Sequence, residues 1–329
     1  RDGPMSRGLG DVYKRQPRAW DLLTLVSELK PAAQLLNLSG RFLALTETND
    51  DFLRDGSGTV ERTFPDRSYN GVRQVAAQAG LLLDELNAIP RQLLSYEDIL
   101  TATMLQRDLE LLIEAPEHHW LYFDLTPYNG GYVMGAELVP ALNNIDLTAS
   151  DGVEHYLSLF KDAERFINGL ATKLKLQKQR GILLPKAAIP KIRETYFGLR
   201  DNLAALSRFD PSRLKGLSAE RAHQLKEESA SALQDKLYPA VDLLLAALGD
   251  DYLAEAPEAA GLYQYPGGEA YYNYLIRRET SLDLTPDQIH QMGLQAMAEI
   301  QQQMQAVRQQ LGFTLSLIHI SEPTRHRSI

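Results

Sequence analysis

Over most of the chain apolar residues recur at steps of three and four, the spacing that lines one face of an α-helix. From Tyr69 to Ile89 they fall at Val72, Val75, Ala76, Ala79, Leu82, Leu83 and Leu86, and Pro90 closes the run. A second run carries Ile99, Leu105, Leu109 and Leu112 and stops at Pro116. Ser95 stands where its hydroxyl can cap that helix, with Glu97 and Asp98 in a first turn that favours negative charge. The short connection predicts an antiparallel hairpin.

The period fails between Glu117 and Asn144, where His118-His119-Trp120-Leu121-Tyr122-Phe123 and Tyr128-Asn129-Gly130-Gly131-Tyr132 read as irregular chain with a short strand pair. Thr148 is then expected to cap a long helix, with Asp151 at its third position and Gly181 at its end. Its inward face would include Val153, Leu157, Phe160, Ala163, Phe166 and Leu170. Pro190 suits the first turn of the next helix, which reaches about Phe209. Ser218 opens another, with Leu225, Ala232, Leu233 and Leu237 inside and a kink or break at Pro239. Leu243–Leu248 ends at Gly249, and Glu269–Glu279 is helical. The clearest start is Thr285-Pro286-Asp287-Gln288, a capping box with proline at the first helical position. Ile289, Met292, Ala296, Ile300, Met304, Val307 and Leu311 follow it as a stripe that needs a partner, exposed unless upstream helices cover it. About eight helices and little alternation give an all-α class, a multi-helix array with one irregular aromatic and glycine-rich segment.

Both ends break the pattern. Gly10–Gln16 and Ser316–Arg325 resemble translated sequencing-adapter read-through, so residues 1–16 and 316–329 are set aside as artefact. Residues 17–315 remain as a helical fragment of a larger domain, with an internal boundary expected near Ala254–Gly261. Setting the ends aside removes six Lys/Arg and three Asp/Glu, which takes the net charge from −9 to −12. That acidity, with no basic block, argues against nucleic acid as a partner. The absence of cysteine excludes disulfides, thiolate nucleophiles and Cys-ligated zinc. No apolar run is long enough for a transmembrane segment; Ala240–Leu248 is short and holds Asp242.

Candidate chemistry is sparse. None of the seven histidines is followed by glutamate, and none pairs at the spacing that lets two imidazoles meet one zinc ion. His118 and His119 are adjacent, and adjacent side chains on regular structure point apart. Asp55-Gly56-Ser57-Gly58 lacks the strand-to-helix setting of a nucleophile elbow, and no phosphate-binding glycine loop is present. Neither a catalytic residue nor a metal ligand is therefore assigned. The Tyr263–Glu279 region is more suggestive. Tyr263, Tyr265, Tyr271, Tyr272 and Tyr274 crowd around Pro266-Gly267-Gly268, with Arg277 and Arg278 behind them. Phenols and guanidinium groups suit a peptide-binding wall, and they suit helix packing equally. Tyr271, Tyr272 and Arg277 are the candidate substrate-binding positions.

Pro266-Gly267-Gly268-Glu269-Ala270-Tyr271-Tyr272, Leu284-Thr285-Pro286 and Ile289-His290-x-x-Gly293 resemble the bacterial family called domain of unknown function 885. Ser68-Tyr69-Asn70-Gly71-Val72 and Arg180-Gly181-Ile182-Leu183-Leu184-Pro185-Lys186 are similar to it as well. The resemblance implies the N-terminal part of a helical protein similar in fold to gluzincin metallopeptidases. It implies a zinc motif in a missing C-terminal catalytic half, zinc in the full-length parent, a peptide substrate, and residence in the cell envelope or periplasm. By that reading this fragment holds no cofactor and is inactive alone. The alternative is a non-enzymatic helical binding or cell-envelope scaffold protein.

Overall fold

The computed structural model describes residues 31–46, 64, 66–128 and 138–312. The strings at 1–16 and 316–329 lie outside them. Among the described residues the chain is helical throughout, in two compact units, 1–268 and 269–329. The Ala254–Gly261 connection falls inside the first unit.

In the first unit, α1 (Pro31–Thr46), α2 (Tyr69–Asn87) and α3 (Tyr96–Glu114) form a sheaf around a small core of Leu35, Leu38, Ala79, Leu82, Leu86, Leu105 and Leu109. The predicted hairpin of α2 and α3 is present, and Ser95 and Asp98 complete a capping box. Ser68 caps α2 by accepting the Gly71 N–H. The apolar spacing does not announce α1, which buries only two side chains.

A larger core gathers around α4 (Gly152–Lys178), with Tyr156, Phe160, Ile167 and Leu170 packed against α5 (Ile189–Asn202), α6 (Ala219–Ala232) and α7 (Tyr238–Ala247). Two details depart from expectation. Thr148 does not cap α4: its N–H and hydroxyl both turn back to Asp146 Oδ1, at 2.8 and 2.7 Å, so a turn precedes the helix and Asp151 stands before its first residue. The break expected at Pro239 becomes a widened π turn at Leu233–Leu237, just ahead of the proline. Proline has no N–H and its ring crowds the carbonyl four residues back, so the ladder widens there. A short α8 (Asp250–Glu255) follows.

The irregular reading of 117–144 holds in part. Among its described residues no strand forms; Leu125 makes one isolated bridge, and residues 138–143 are helical. The carbonyls of Trp120 and Tyr122 accept from the Gln177 side chain, at 2.8 and 3.4 Å, in place of a neighbouring strand. Residues 129–137, which include Gly130, Gly131 and Tyr132, lie outside the described residues.

The second unit holds α9 (Gly268–Thr280) from Glu269 onward and α10 (Pro286–Gln310). Thr285 and Gln288 form the predicted capping box, and α10 buries none of its residues. Met292, Ile300, Met304 and Val307 are all exposed, so the apolar stripe has no cover among the described residues.

Candidate functional site

The inward face of α4 is apolar as far as Leu170 and then turns polar. Lys173 and Gln177, one turn apart, are both buried. Facing them runs the segment that leaves the 3-10 turn Ala115–His118 after α3. It brings in Asp124, 4 % exposed, whose Oδ2 accepts from Lys173 Nζ at 2.6 Å. Arg67, just before α2, reaches Asp124 Oδ1 at 3.3 Å and the Tyr122 hydroxyl at 3.0 Å. Lys173 Nζ lies 5.2 Å from the centre of the Tyr122 ring. Two cations therefore share one buried carboxylate.

Burial disfavours charge on Lys173 more than Asp124 restores it, and the ammonium pKa is lowered. His119 is 4 % exposed and packed edge-on against Trp120, with ring centres 4.7 Å apart. Desolvation first, then Lys173 and Arg180, hold its pKa down to about 4 against the pull of Asp124. Near neutral pH this imidazole is uncharged. His118 turns elsewhere, with Nε2 3.1 Å from Glu114 Oε1. The two histidines do point apart, and among the described residues no group of three or more His, Asp or Glu could hold a metal ion. The residues present do not fit a zinc site.

Beside the Asp124 cluster lies a cavity of about 300 Å³, lined by Asp66, Arg67, Ser68, Asp124, Arg165, Phe166, Gly169, Leu170 and Lys173. Arg165 Nη2 donates to the Phe64 carbonyl at 2.5 Å, and its Nε is 3.5 Å from Asp162. Among the described residues of the first unit, it is here that several charged side chains turn toward a roomy cavity. Sequence reasoning missed it. The legible signal was a lysine and a glutamine continuing the apolar register of α4.

The candidate residues of the sequence reading lie on α9. Tyr271 is buried, with its ring stacked on Tyr274 at 6.1 Å, whereas Tyr272 is 47 % exposed. Neighbours on a helix are about 100° apart, so the two phenols do not share a face. The Arg277 guanidinium lies 5.9 Å from the Tyr274 ring centre.

The other motif residues have structural duties. Gly267 has φ +78°, and a Cβ on Gly268 would run into the Leu262 carbonyl oxygen. Gly181 has φ +72° and ends α4, with the Ile182 N–H returning to the Gln177 carbonyl at 3.0 Å. Beyond it the Leu184 N–H donates to the Tyr252 hydroxyl at 2.9 Å, and the Lys186 N–H to the Pro257 carbonyl at 2.8 Å. The Tyr265 hydroxyl donates to the Leu183 carbonyl.

A protein from Colwellia psychrerythraea, provisionally assigned as a lipoprotein, has a similar fold, with a TM-score of 0.63 and 16 % identity. The match covers 87 % of this chain and 52 % of that one, so the chain spans about half its length. No curated protein sequence matches. No described helix is long and apolar enough to cross a membrane. The sequence profile of a family described as bacterial protein of unknown function matches residues 53–325. The chain belongs to that family, domain of unknown function 885.

Proposed function

We propose that this chain is the helical scaffold and one cleft wall of a larger peptidase-like hydrolase whose zinc ligands and general base lie in sequence outside it. The observation that carries this reading is family membership over residues 53–325, joined to a likeness spanning only 52 % of the Colwellia protein. A second half of similar size is thus available to carry the chemistry. Tyr271, Tyr272 and Arg277 are proposed to stand near a peptide substrate there, and no catalytic step is assigned to residues of this chain. The rival is a helical binding or cell-envelope scaffold protein, favoured by the lipoprotein assignment of the Colwellia structure.

The deciding experiment is to recover the gene with its downstream sequence, purify the extended protein, and measure metal content and peptide hydrolysis. The enzyme reading expects about one zinc per chain, as in single-metal hydrolases, and hydrolysis abolished by a chelator. Absence of both in the extended protein would overturn it and leave the scaffold.

A further inference from the structure

We infer that the cavity beside Asp124 binds a small oxyanion, a carboxylate or a phosphate group, held by Arg67, Lys173 and Arg165. The inference starts from charge. Asp124 is buried and faces Lys173 at 2.6 Å and Arg67 at 3.3 Å, so this buried cluster carries one cation more than it has carboxylates. An uncompensated charge away from water is costly, and a bound anion is the direct way to balance it. The lowered Lys173 pKa agrees, since one carboxylate does not offset its desolvation.

Two further carboxylates stand nearby and do not supply the balance. Asp66 is exposed and accepts the Ser68 N–H at 3.0 Å. Asp162 reaches Arg165 at 3.5 Å and does not line the cavity. The start of α2 is not the attraction either, because the Ser68 hydroxyl already takes the Gly71 N–H. What remains is a space of about 300 Å³ with two guanidinium groups and an ammonium on its lining. Guanidinium forks match the paired oxygens of carboxylate and phosphate alike, which is why the class is an oxyanion. Gly169 supplies the room: it lines the cavity, and a Cβ built on it meets no atom within 4 Å.

The test is thermal unfolding of the full chain at constant ionic strength in chloride, acetate or inorganic phosphate, titrated to about 20 mM so that general salting effects stay small. Binding predicts a saturable rise in midpoint of roughly 2–4 °C over chloride. Phosphate alone acting would mark a phosphate site; acetate acting equally would mark a carboxylate site. Arg67→Gln should weaken the apparent affinity about tenfold, as loss of one charge-assisted contact predicts. Gly169→Leu should fill the space, leave the chloride midpoint unchanged or higher, and abolish the anion response. If that variant does not fold, Arg165→Gln, whose side chain is 44 % exposed, must likewise lower the affinity. No rise over chloride, or an undiminished response in Gly169→Leu or Arg165→Gln, would overturn the assignment.

Discussion

Acid should find its way into this fold through His119. The side chain is 4 % exposed, wedged between Trp120 and Tyr69, with Lys173 and Arg180 close enough to oppose a further positive charge. Its pKa falls from 6.5 to about 4 on folding. The unfolded chain therefore takes up the proton first as pH drops, and stability declines across the window from pH 6.5 to 4. Every tenfold loss of proton affinity corresponds to about 1.4 kcal/mol, so the full penalty comes to about 3 kcal/mol, with about 2 kcal/mol of it lost between pH 7 and 4.5. Buried carboxylates contribute to acid unfolding in the same direction, which makes a single melting curve uninformative. The informative quantity is the difference between wild type and His119→Gln, from urea titrations followed by circular dichroism at pH 7, 5.5 and 4.5. Glutamine does not titrate, so the variant should gain on the wild type by about 2 kcal/mol over that range. A difference constant to about 0.5 kcal/mol, the usual scatter of such comparisons, would show that His119 is protonated in the folded state at ordinary pKa and would refute the argument.

Asp124→Asn leaves Lys173 and Arg67 buried against a neutral amide and should cost about 3–5 kcal/mol in urea unfolding, whereas Lys173→Met, which leaves Arg67 on Asp124, should cost less. Gly268→Ala drives a methyl into the Leu262 carbonyl and should lose about 1–3 kcal/mol, while Gly80→Ala, where nothing lies within 4 Å, should be neutral or gain up to about 1 kcal/mol. Ile300 and Met304 are 54 % and 42 % exposed, so changing both to glutamine should raise the concentration at which the chain stays monodisperse in light scattering, with the melting temperature unchanged. A fall of several degrees would place them in a core.

What could be read in advance follows the range of each interaction. The caps at Ser95, Ser218 and Thr285 are contacts over three residues, and all three form as the local sequence implies. Thr148 has the same appearance, yet Asp146 two residues earlier competes for it and wins, a balance that residue type alone does not decide. The helical hairpin is legible because its partners are neighbours along the chain. The polar cluster is not, since Lys173 meets a carboxylate 49 residues away and Arg67 meets the same group across 57. A lysine on a helix is ordinarily solvated, and only its place in the apolar register of α4 sets it apart. The tyrosine motif drew attention for its phenols, while its glycines answer to backbone geometry.

The stretch from Gly181 to Lys186 also bears on the order in which the molecule assembles. Its backbone groups are tied to Tyr252, Pro257 and Tyr265, some 70 to 80 residues onward. Closing a loop of that size carries an entropic cost near 4 kcal/mol from the logarithmic length dependence alone, whereas the α2–α3 hairpin closes over only a few residues. The sheaf can condense while the chain beyond α4 is still searching, and the strap can lock only after α5, α6 and α7 have delivered Tyr252 to Leu184. Slow, late protection of the Leu184 and Lys186 amides, behind the amides of α2 and α3, is the kinetic signature of a fold whose final latch is made from main-chain hydrogen bonds across its longest connection.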